Sequence, residues 1–278
     1  PSGIGALWAI IIGMFVVVLL LLRVGNTIFN REELLGRQID QLNLRGSLRK
    51  IWRYVRATND NGTVASNIIQ WYRQAIPHSL AKLKMPLMVT IGVFIAAFML
   101  GYIFGQDPQY RLPLPEQTSL ENSMTTLGQF LEVANVEEQA FLFIVWQNGR
   151  ILLAATILAI FSFGVVALVL TSATFAILGY LLSQWVLAGY PIGFLGAALL
   201  THGVIEIPII IIATAAALRL GAVITHLPKG TSVGHAWITA LGDTIKIGVG
   251  VVLPGLFIAA IIEAYITPRV IVALMGSG

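Results

Sequence analysis

A histidine and a glutamate four residues apart lie in a part of the sequence that is otherwise apolar. The segment reads Thr201-His202-Gly203-Val204-Ile205-Glu206-Ile207-Pro208, and four isoleucines follow it almost directly. Residues at positions i and i+4 share one face of a helix, so the imidazole and the carboxylate can touch. Ionisable residues inside a membrane-spanning helix are energetically expensive, which makes this pair the first candidate for function.

Three interpretations of the pair remain open. The two side chains can satisfy each other's hydrogen bonds within a helical bundle, an interpretation that requires no further ligands from the rest of the chain. They can line a polar pathway or a proton relay. They can bind a metal or perform hydrolysis, but that needs further ligands, and Glu263 is the candidate that could reach them. We expect the structural interpretation, with no catalytic residue, no metal and no cofactor.

The composition indicates a membrane protein. Of 278 residues, 57% are apolar and 11% are charged, whereas soluble proteins carry roughly 25% charged residues. This excludes a disordered chain and makes an ordinary soluble enzyme a poor interpretation. The chain has no cysteine, which excludes disulfides, thiolate metal sites and a cysteine nucleophile. No glycine-rich phosphate loop, zinc-binding pattern or G-x-S-x-G motif occurs.

Stretches of about 20 apolar residues, long enough to cross a bilayer core of about 30 Å, occur six times. We therefore predict an all-α fold: a polytopic transmembrane helix bundle of about six spans, accompanied by amphipathic interfacial helices. The third and fourth predicted spans are divided at Thr171-Ser172, and Thr267-Pro268 is predicted to end the sixth. The predicted spans are residues 4–22, 86–105, 151–171, 173–190, 194–219 and 247–266.

Charge predicts the orientation. Residues 23–84 hold eleven of the 17 basic residues, whereas residues 106–149 hold one basic and six acidic residues. Positive residues near membrane ends stay in the cytoplasm, so residues 23–84 should be cytoplasmic and residues 106–149 external. We expect a multi-pass protein of the plasma membrane. The net charge of +4 reflects this asymmetry, and no nucleic-acid partner is expected.

The basic segment predicts amphipathic helices, because apolar residues recur at three- and four-residue steps and arginines fill the opposite face. We expect it to lie on the anionic inner leaflet, with a partner-docking platform as the alternative. A turn is predicted at Asn59-Asp60-Asn61-Gly62. The chain then divides into a first span (residues 1–22), the basic segment (23–84) and a membrane domain (85–270).

A second polar group, Gln147, Asn148 and Arg150, is predicted to begin the third span at the external face. We interpret it as a helix cap and interface anchor, with a docking spot for the second or the fifth predicted span as the alternative. Asp243 and Lys246 are expected to precede the sixth span, where Lys246 can extend to the interface. Frequent glycine and alanine residues predict close helix approach, either within a monomer or in a homodimer.

Several of these segments together resemble the stage II sporulation protein M family. The resemblance covers residues 79–268. It includes His202, Gly203, Glu206 and Pro208, then Leu218-Arg219-Leu220-Gly221, and finally Ile262-Glu263-Ala264-Tyr265-Ile266-Thr267-Pro268. The stretch Phe143-Ile144-Val145-Trp146-Gln147-Asn148-Gly149-Arg150 is similar to the start of a central helix in the family. Gln147 departs from the family's usual Asn-Asn pair, and Thr171-Ser172 replaces its usual Asn-Gly.

The resemblance implies a membrane partner of peptidoglycan-degrading proteins, although some relatives look like subunits of transport systems. We therefore expect a non-enzymatic scaffold or partner-recruiting subunit, engaged in envelope remodelling. A permease subunit coupled to a cytoplasmic ATPase is the alternative, and an intramembrane hydrolase using His202 and Glu206 is the weakest. The expected partners are the bilayer and other membrane or cytoplasmic proteins, namely a wall hydrolase or an ATPase.

Overall fold

A computed structural model of the chain describes residues 44–114, 136–225, 227 and 231–276, together with residues 16, 19, 20 and 23. Long helices dominate these residues, and the only β pairing among them is an isolated bridge between Ala57 and Val64. The principal helices are α1 (Leu44–Arg56), α2 (Ile68–Gln70, Trp71–Ala75 and Ile76–Ala81), α3 (Lys84–Gly105), α4 (Val136–Phe161), α5 (Val165–Leu187), α6 (Ile192–Ala222) and α7 (Val233–Ile247 continuing to Gly276).

Five of the described helices, α3 to α7, are long and apolar enough to cross a membrane. Many of their large apolar side chains are exposed, as expected for a surface that faces lipid rather than water. The predicted all-α bundle is thereby confirmed. The first predicted span, residues 4–22, lies almost wholly outside the described residues.

The predicted division at Thr171-Ser172 is wrong, because both residues lie inside α5. The Thr171 hydroxyl donates to Ala167 O at 2.7 Å and that of Ser172 donates to Val169 O at 3.1 Å. A hydroxyl that bonds back to its own helix is compatible with a continuous span. The chain instead turns between α4 and α5, where Phe163 (φ 53°) and Gly164 (φ 87°) adopt left-handed conformations.

Glycines fix how α3 and α5 cross. A Cβ on Gly101 would lie 1.9 Å from Ala176 O, and one on Gly179 would lie 2.0 Å from Phe98 O. The two backbones are therefore in contact at glycine, as expected for close-packed membrane helices. Phe94 stacks on Phe175 in the first half of each helix, and Gln184 near the end of α5 donates to Gly105 O at the end of α3, so the two helices run in the same direction. We call the two ends of the bundle the Lys84 end and the Gly105 end, after the ends of α3.

Three π-helical turns each end two residues before a proline. They are Trp71–Ala75, Gly248–Val252 and Ile262–Ile266, followed by Pro77, Pro254 and Pro268. A proline ring inside a helix clashes with the carbonyl four residues earlier, and here that carbonyl belongs to the central residue of the wider turn. The helix thus continues past each proline.

The prediction that Thr267-Pro268 ends the last span is therefore wrong. After the third π turn, α7 continues through Thr267–Gly276. Its beginning also differs from the prediction, because α7 starts at Val233, ten residues before Asp243. Asp243 and Lys246 therefore belong to the helix rather than to a preceding loop.

The basic segment packs onto α7 at the Lys84 end. A Cβ on Gly242 of α7 would lie 2.5 Å from Tyr54 Cβ of α1, and one on Gly250 would lie 2.8 Å from the Trp71 ring of α2. The Trp71 indole also donates to Val55 O at 2.7 Å, joining the two helices. The turn predicted at Asn59–Gly62 is confirmed, with Gly62 at φ 76°.

Candidate functional site

The helix α6 carries His202 and Glu206 on one face, as the i, i+4 spacing predicts. His202 Nε2 lies 3.7 Å from Glu206 Oε2, and each side chain is only about 15% exposed. Glu206 is close to the midpoint of the helix that runs from Ile192 to Ala222. The carboxylate therefore lies well inside the bundle rather than at its edge.

Asn148 comes to the same place from α4. Its amide Nδ2 donates to Glu206 Oε1 at 2.7 Å. The favoured interpretation of Asn148, a cap at the beginning of a span, is therefore wrong, and the contact with Glu206 matches the alternative, a docking spot for the fifth predicted span. α4 begins at Val136, so Asn148 lies about 18 Å along it at 1.5 Å per residue.

The π turn Ile262–Ile266 of α7 contributes Glu263. Ligand atoms of His202, Glu206 and Glu263 all lie within 4.8 Å of one another. The same turn leads to Thr267, whose hydroxyl lies 3.4 Å from His202 Nδ1 and donates to Ile262 O at 3.2 Å. The three helices α4, α6 and α7 thus bring one imidazole, two carboxylates, an amide and a hydroxyl together; we call this the central cluster.

The hydrogen bonds favour the imidazole tautomer in which the lone pair of Nε2 faces the carboxylates. Thr267 uses its hydroxyl hydrogen on Ile262 O, so its oxygen remains to accept from His202 Nδ1–H. In a neutral imidazole the other nitrogen, Nε2, then carries the lone pair. Nε2 is the atom that faces Glu206, so the centre of the cluster is a convergence of acceptors.

The other residues singled out from the sequence do not join this cluster. Gln147 is half-buried and Arg150 is exposed on α4. A Cβ on Gly203 would meet only the Ile207 side chain, whereas one on Gly221 would lie 2.2 Å from Ala159 O. Pro208 lies inside α6 and Pro268 in the first turn after the third π turn, so both shape helices without contributing polar atoms.

Arg219 belongs to a second group of charges, at the Lys84 end. Its Nη1 lies 3.1 Å from Asp243 Oδ2, and Lys82 Nζ lies 2.9 Å from the same oxygen. The other carboxylate oxygen accepts from Ser79 Oγ at 2.8 Å and from Lys246 Nζ at 3.4 Å. We call Asp243, Lys246, Lys82, Arg219 and Ser79 the ionic cluster.

Lys246 is one of the most buried side chains among the described residues, at 1% relative exposure. Its ammonium donates to Ala57 O at 2.8 Å and to Ser79 Oγ at 2.9 Å as well as to Asp243. The expectation that Lys246 extends to the membrane interface is therefore wrong. The sequence signal is present, since Asp243 and Lys246 are i, i+3 on one helix, but Ser79 and Lys82, which bond to Asp243, are more than 150 residues away.

A bundle of five apolar helices with a polar cluster near mid-depth is the architecture of a polytopic α-helical membrane protein. The family model described as stage II sporulation protein M matches residues 89–268. This is more than half of the chain, and the chain belongs to that family. The match contains the whole central cluster, but it begins after α1 and α2.

Neither the curated proteins nor the solved structures include a significant match to this chain.

Proposed function

We propose that this protein is a non-enzymatic membrane subunit that recruits or organises partner proteins during cell-envelope remodelling. The family supports the envelope setting. The observation that carries the recruiting role is the ionic cluster, because Lys246 of α7 bonds to Ala57 O after α1 and to Ser79 of α2. These bonds fix α1 and α2 to the bundle, so that they form a rigid surface instead of a loose tether.

That surface presents apolar side chains to its surroundings. Leu48 and Trp52 of α1 are more than 60% exposed, and so are Ile68 and Ile69 of α2. Exposed apolar residues among arginines are typical of a surface that contacts anionic lipid or another protein. We call α1 and α2 together the basic platform.

We further propose that the basic platform faces the cytoplasm, because most of the basic residues that the structure describes lie at the Lys84 end and positive residues stay on the cytoplasmic side. The chain has no cysteine, so single cysteines can be introduced without background. Lys50→Cys should resist a membrane-impermeant maleimide in intact cells and react after lysis. Gln109→Cys, exposed at the Gly105 end, should react in intact cells; the opposite pattern would invert the orientation.

Recruitment is tested by purification from the native membrane in mild detergent. The wild-type protein should retain a membrane or cytoplasmic partner, with a wall hydrolase or an ATPase as the candidates. Trp52→Glu changes the middle of the basic platform and should release a partner that binds there. Leu112→Glu places the same charge on an exposed apolar residue at the Gly105 end and should retain it. Purification without any protein partner, or equal retention by the two variants, would contradict a recruiting platform.

The alternative is a permease subunit of an ABC-type transport system. The central cluster favours it specifically, because ionisable groups at mid-depth in a bundle often mark a substrate or proton path. Glu206→Ala separates the two functions. In a scaffold the variant should lose stability, because Asn148 loses its acceptor. A variant that folds normally but abolishes transport into vesicles would favour the permease.

A further inference from the structure

We propose that His202, Glu206 and Glu263 bind one divalent transition-metal ion, of the Zn²⁺ type, between α6 and α7. From the sequence, a metal was the least favoured interpretation, because only two ligands clearly shared one helix face. The structure brings the third ligand to them through the π turn of α7. This site goes beyond the recruiting function and does not depend on it.

The distances suit a single ion. Zn²⁺ binds imidazole nitrogen and carboxylate oxygen at about 2.0–2.2 Å, so two ligand atoms on one ion are at most about 4.4 Å apart. The ligand atoms of the three residues lie within 4.8 Å of one another. The His202 Nε2 to Glu206 Oε2 distance of 3.7 Å already matches a tetrahedral pair. A tetrahedral pair is about 3.5 Å apart, so binding requires the widest pair to contract by up to about 1.3 Å, which side-chain rotations supply.

The charges of the three residues favour a bound cation between them. Two carboxylates and the Nε2 lone pair converge among apolar helices, and no lysine or arginine bonds to any of the three among the described residues. Two carboxylates so close together cannot both be ionised without a compensating charge. A divalent ion supplies that charge and accepts all three lone pairs at once.

Two neighbours hold the ligands in the required orientation. The Thr267 hydroxyl lies 3.4 Å from His202 Nδ1 and favours the tautomer in which Nδ1–H donates to it, which leaves Nε2 free to bind metal. The Asn148 amide donates to Glu206 Oε1 at 2.7 Å and leaves Oε2 facing the imidazole. Metal-binding histidines and carboxylates usually have such outer partners, and their loss typically weakens metal binding 10–100-fold.

One imidazole and two carboxylates fit Zn²⁺, Fe²⁺, Co²⁺ or Mn²⁺ better than a site made only of oxygen ligands would. Three protein ligands also leave at least one coordination position open. The structure thus favours a site that can take a further ligand over a closed structural site.

The test is direct metal binding by the purified full-length protein in detergent. After treatment with a chelator, the wild-type protein should bind about one Zn²⁺, measured by competition with a chromophoric chelator. Co²⁺ should give a visible absorption spectrum typical of a site of low coordination number. Glu263→Gln should weaken binding at least tenfold without unfolding the protein, because the Glu263 carboxylate makes no hydrogen bond within the described part of the chain.

Matched controls separate this site from surface binding. His235→Gln and Glu138→Gln change a histidine and a carboxylate away from the central cluster and should leave the affinity unchanged. Thr267→Val should weaken binding 10–100-fold, whereas Thr267→Ser should retain it, because only serine keeps the hydroxyl beside His202. If a variant of a metal-binding residue does not fold, the comparison of Thr267→Val with Thr267→Ser still tests the metal site.

Two results would overturn the proposal. The wild-type protein could bind none of the four ions, in which case protons rather than a metal compensate the two carboxylates. Alternatively, Glu263→Gln and Thr267→Val could bind as tightly as the wild-type protein, which would place the ion elsewhere. Neither result bears on whether the basic platform recruits a partner, because that is measured by co-purification.

Discussion

The ionic cluster and the central cluster are both polar groups inside an apolar bundle, but they are built in opposite ways. In the ionic cluster one carboxylate, Asp243, is surrounded by the cationic groups of Lys82, Arg219 and Lys246. In the central cluster two carboxylates and one imidazole place their ligand atoms within 4.8 Å of one another. Among the residues that the structure describes, basic side chains compensate the carboxylate of the ionic cluster, whereas none bonds to the carboxylates of the central cluster.

This difference assigns different roles to the two clusters. A buried charge with all its partners present holds helices in one arrangement, and the ionic cluster joins α2, α6 and α7 in that way. A buried charge without a partner needs something from outside the chain, such as a proton or a metal ion. Stability should therefore depend mainly on the first cluster, and ligand binding on the second.

Asp243→Asn should have the largest effect on stability. The substitution leaves the ammonium of Lys246 buried at 1% exposure without its counter-charge. Breaking a buried ion pair from one side costs about 3–5 kcal/mol. The free energy of unfolding in mixed micelles, measured by titration with SDS, should fall by about that amount.

Two further variants sharpen this result. Asp243→Asn combined with Lys246→Met should be more stable than Asp243→Asn alone, because no unpaired buried charge remains. Glu138→Gln, an exposed carboxylate of α4, should change stability by no more than about 0.5 kcal/mol. If Asp243→Asn were as mild as this control, the ionic cluster would not hold the helices together.

Substitutions of the two glutamates of the central cluster should have different effects on the free energy of unfolding. Glu206→Ala removes the acceptor of Asn148 and leaves a buried donor unpaired, at a cost of about 1–3 kcal/mol. Glu263→Gln removes a negative charge close to Glu206 and should be neutral or stabilising in metal-free protein. The same SDS titration measures both. Equal losses in the two variants would mean that Glu263 is as firmly paired as Glu206, and the contrast between the clusters would fail.

The sequence predicted the presence of the membrane helices well, because a run of about 20 apolar residues has few other uses. It also placed His202 and Glu206 on one face, since a spacing of four residues determines that locally. Its errors fell at residues whose effect depends on context. Thr171-Ser172 looked like a break but bonds to its own helix, and Thr267-Pro268 looked like a stop but follows a π turn.

The partners of the buried charges could not be predicted from one sequence. Asp243 finds Ser79 and Lys82 across more than 150 residues of chain, and Asn148 finds Glu206 across 58. Such pairings depend on the crossing of the helices, which for α3 and α5 is set by backbone contact at Gly101 and Gly179. Sequence spacing identified residues that could do chemistry, and packing determined which of them meet.

Asp60 extends the ionic cluster into solvent, so its substitution should have the smallest effect on stability among the variants of that cluster. Its side chain is 67% exposed and pairs with Lys82 and with His78 Nε2. Burial raises the pKa of Asp60, but the hydrogen bonds and charges of Lys82 and His78 together lower it by more. The pKa of Asp60 therefore lies below its usual 3.8. The unfolded chain therefore takes up a proton at Asp60 before the folded protein does, as the pH falls.

The contribution of Asp60 to stability should be fully present above about pH 4 and should disappear as the pH falls through the lowered pKa. Because the pair is largely exposed, solvent screening limits this contribution to about 1 kcal/mol or less. Unfolding titrations of the wild-type protein and of Asp60→Asn, between about pH 3 and pH 7, should differ slightly at neutral pH and converge in acid. A loss at neutral pH as large as that of Asp243→Asn would show that burial is not what gives the ionic cluster its strength.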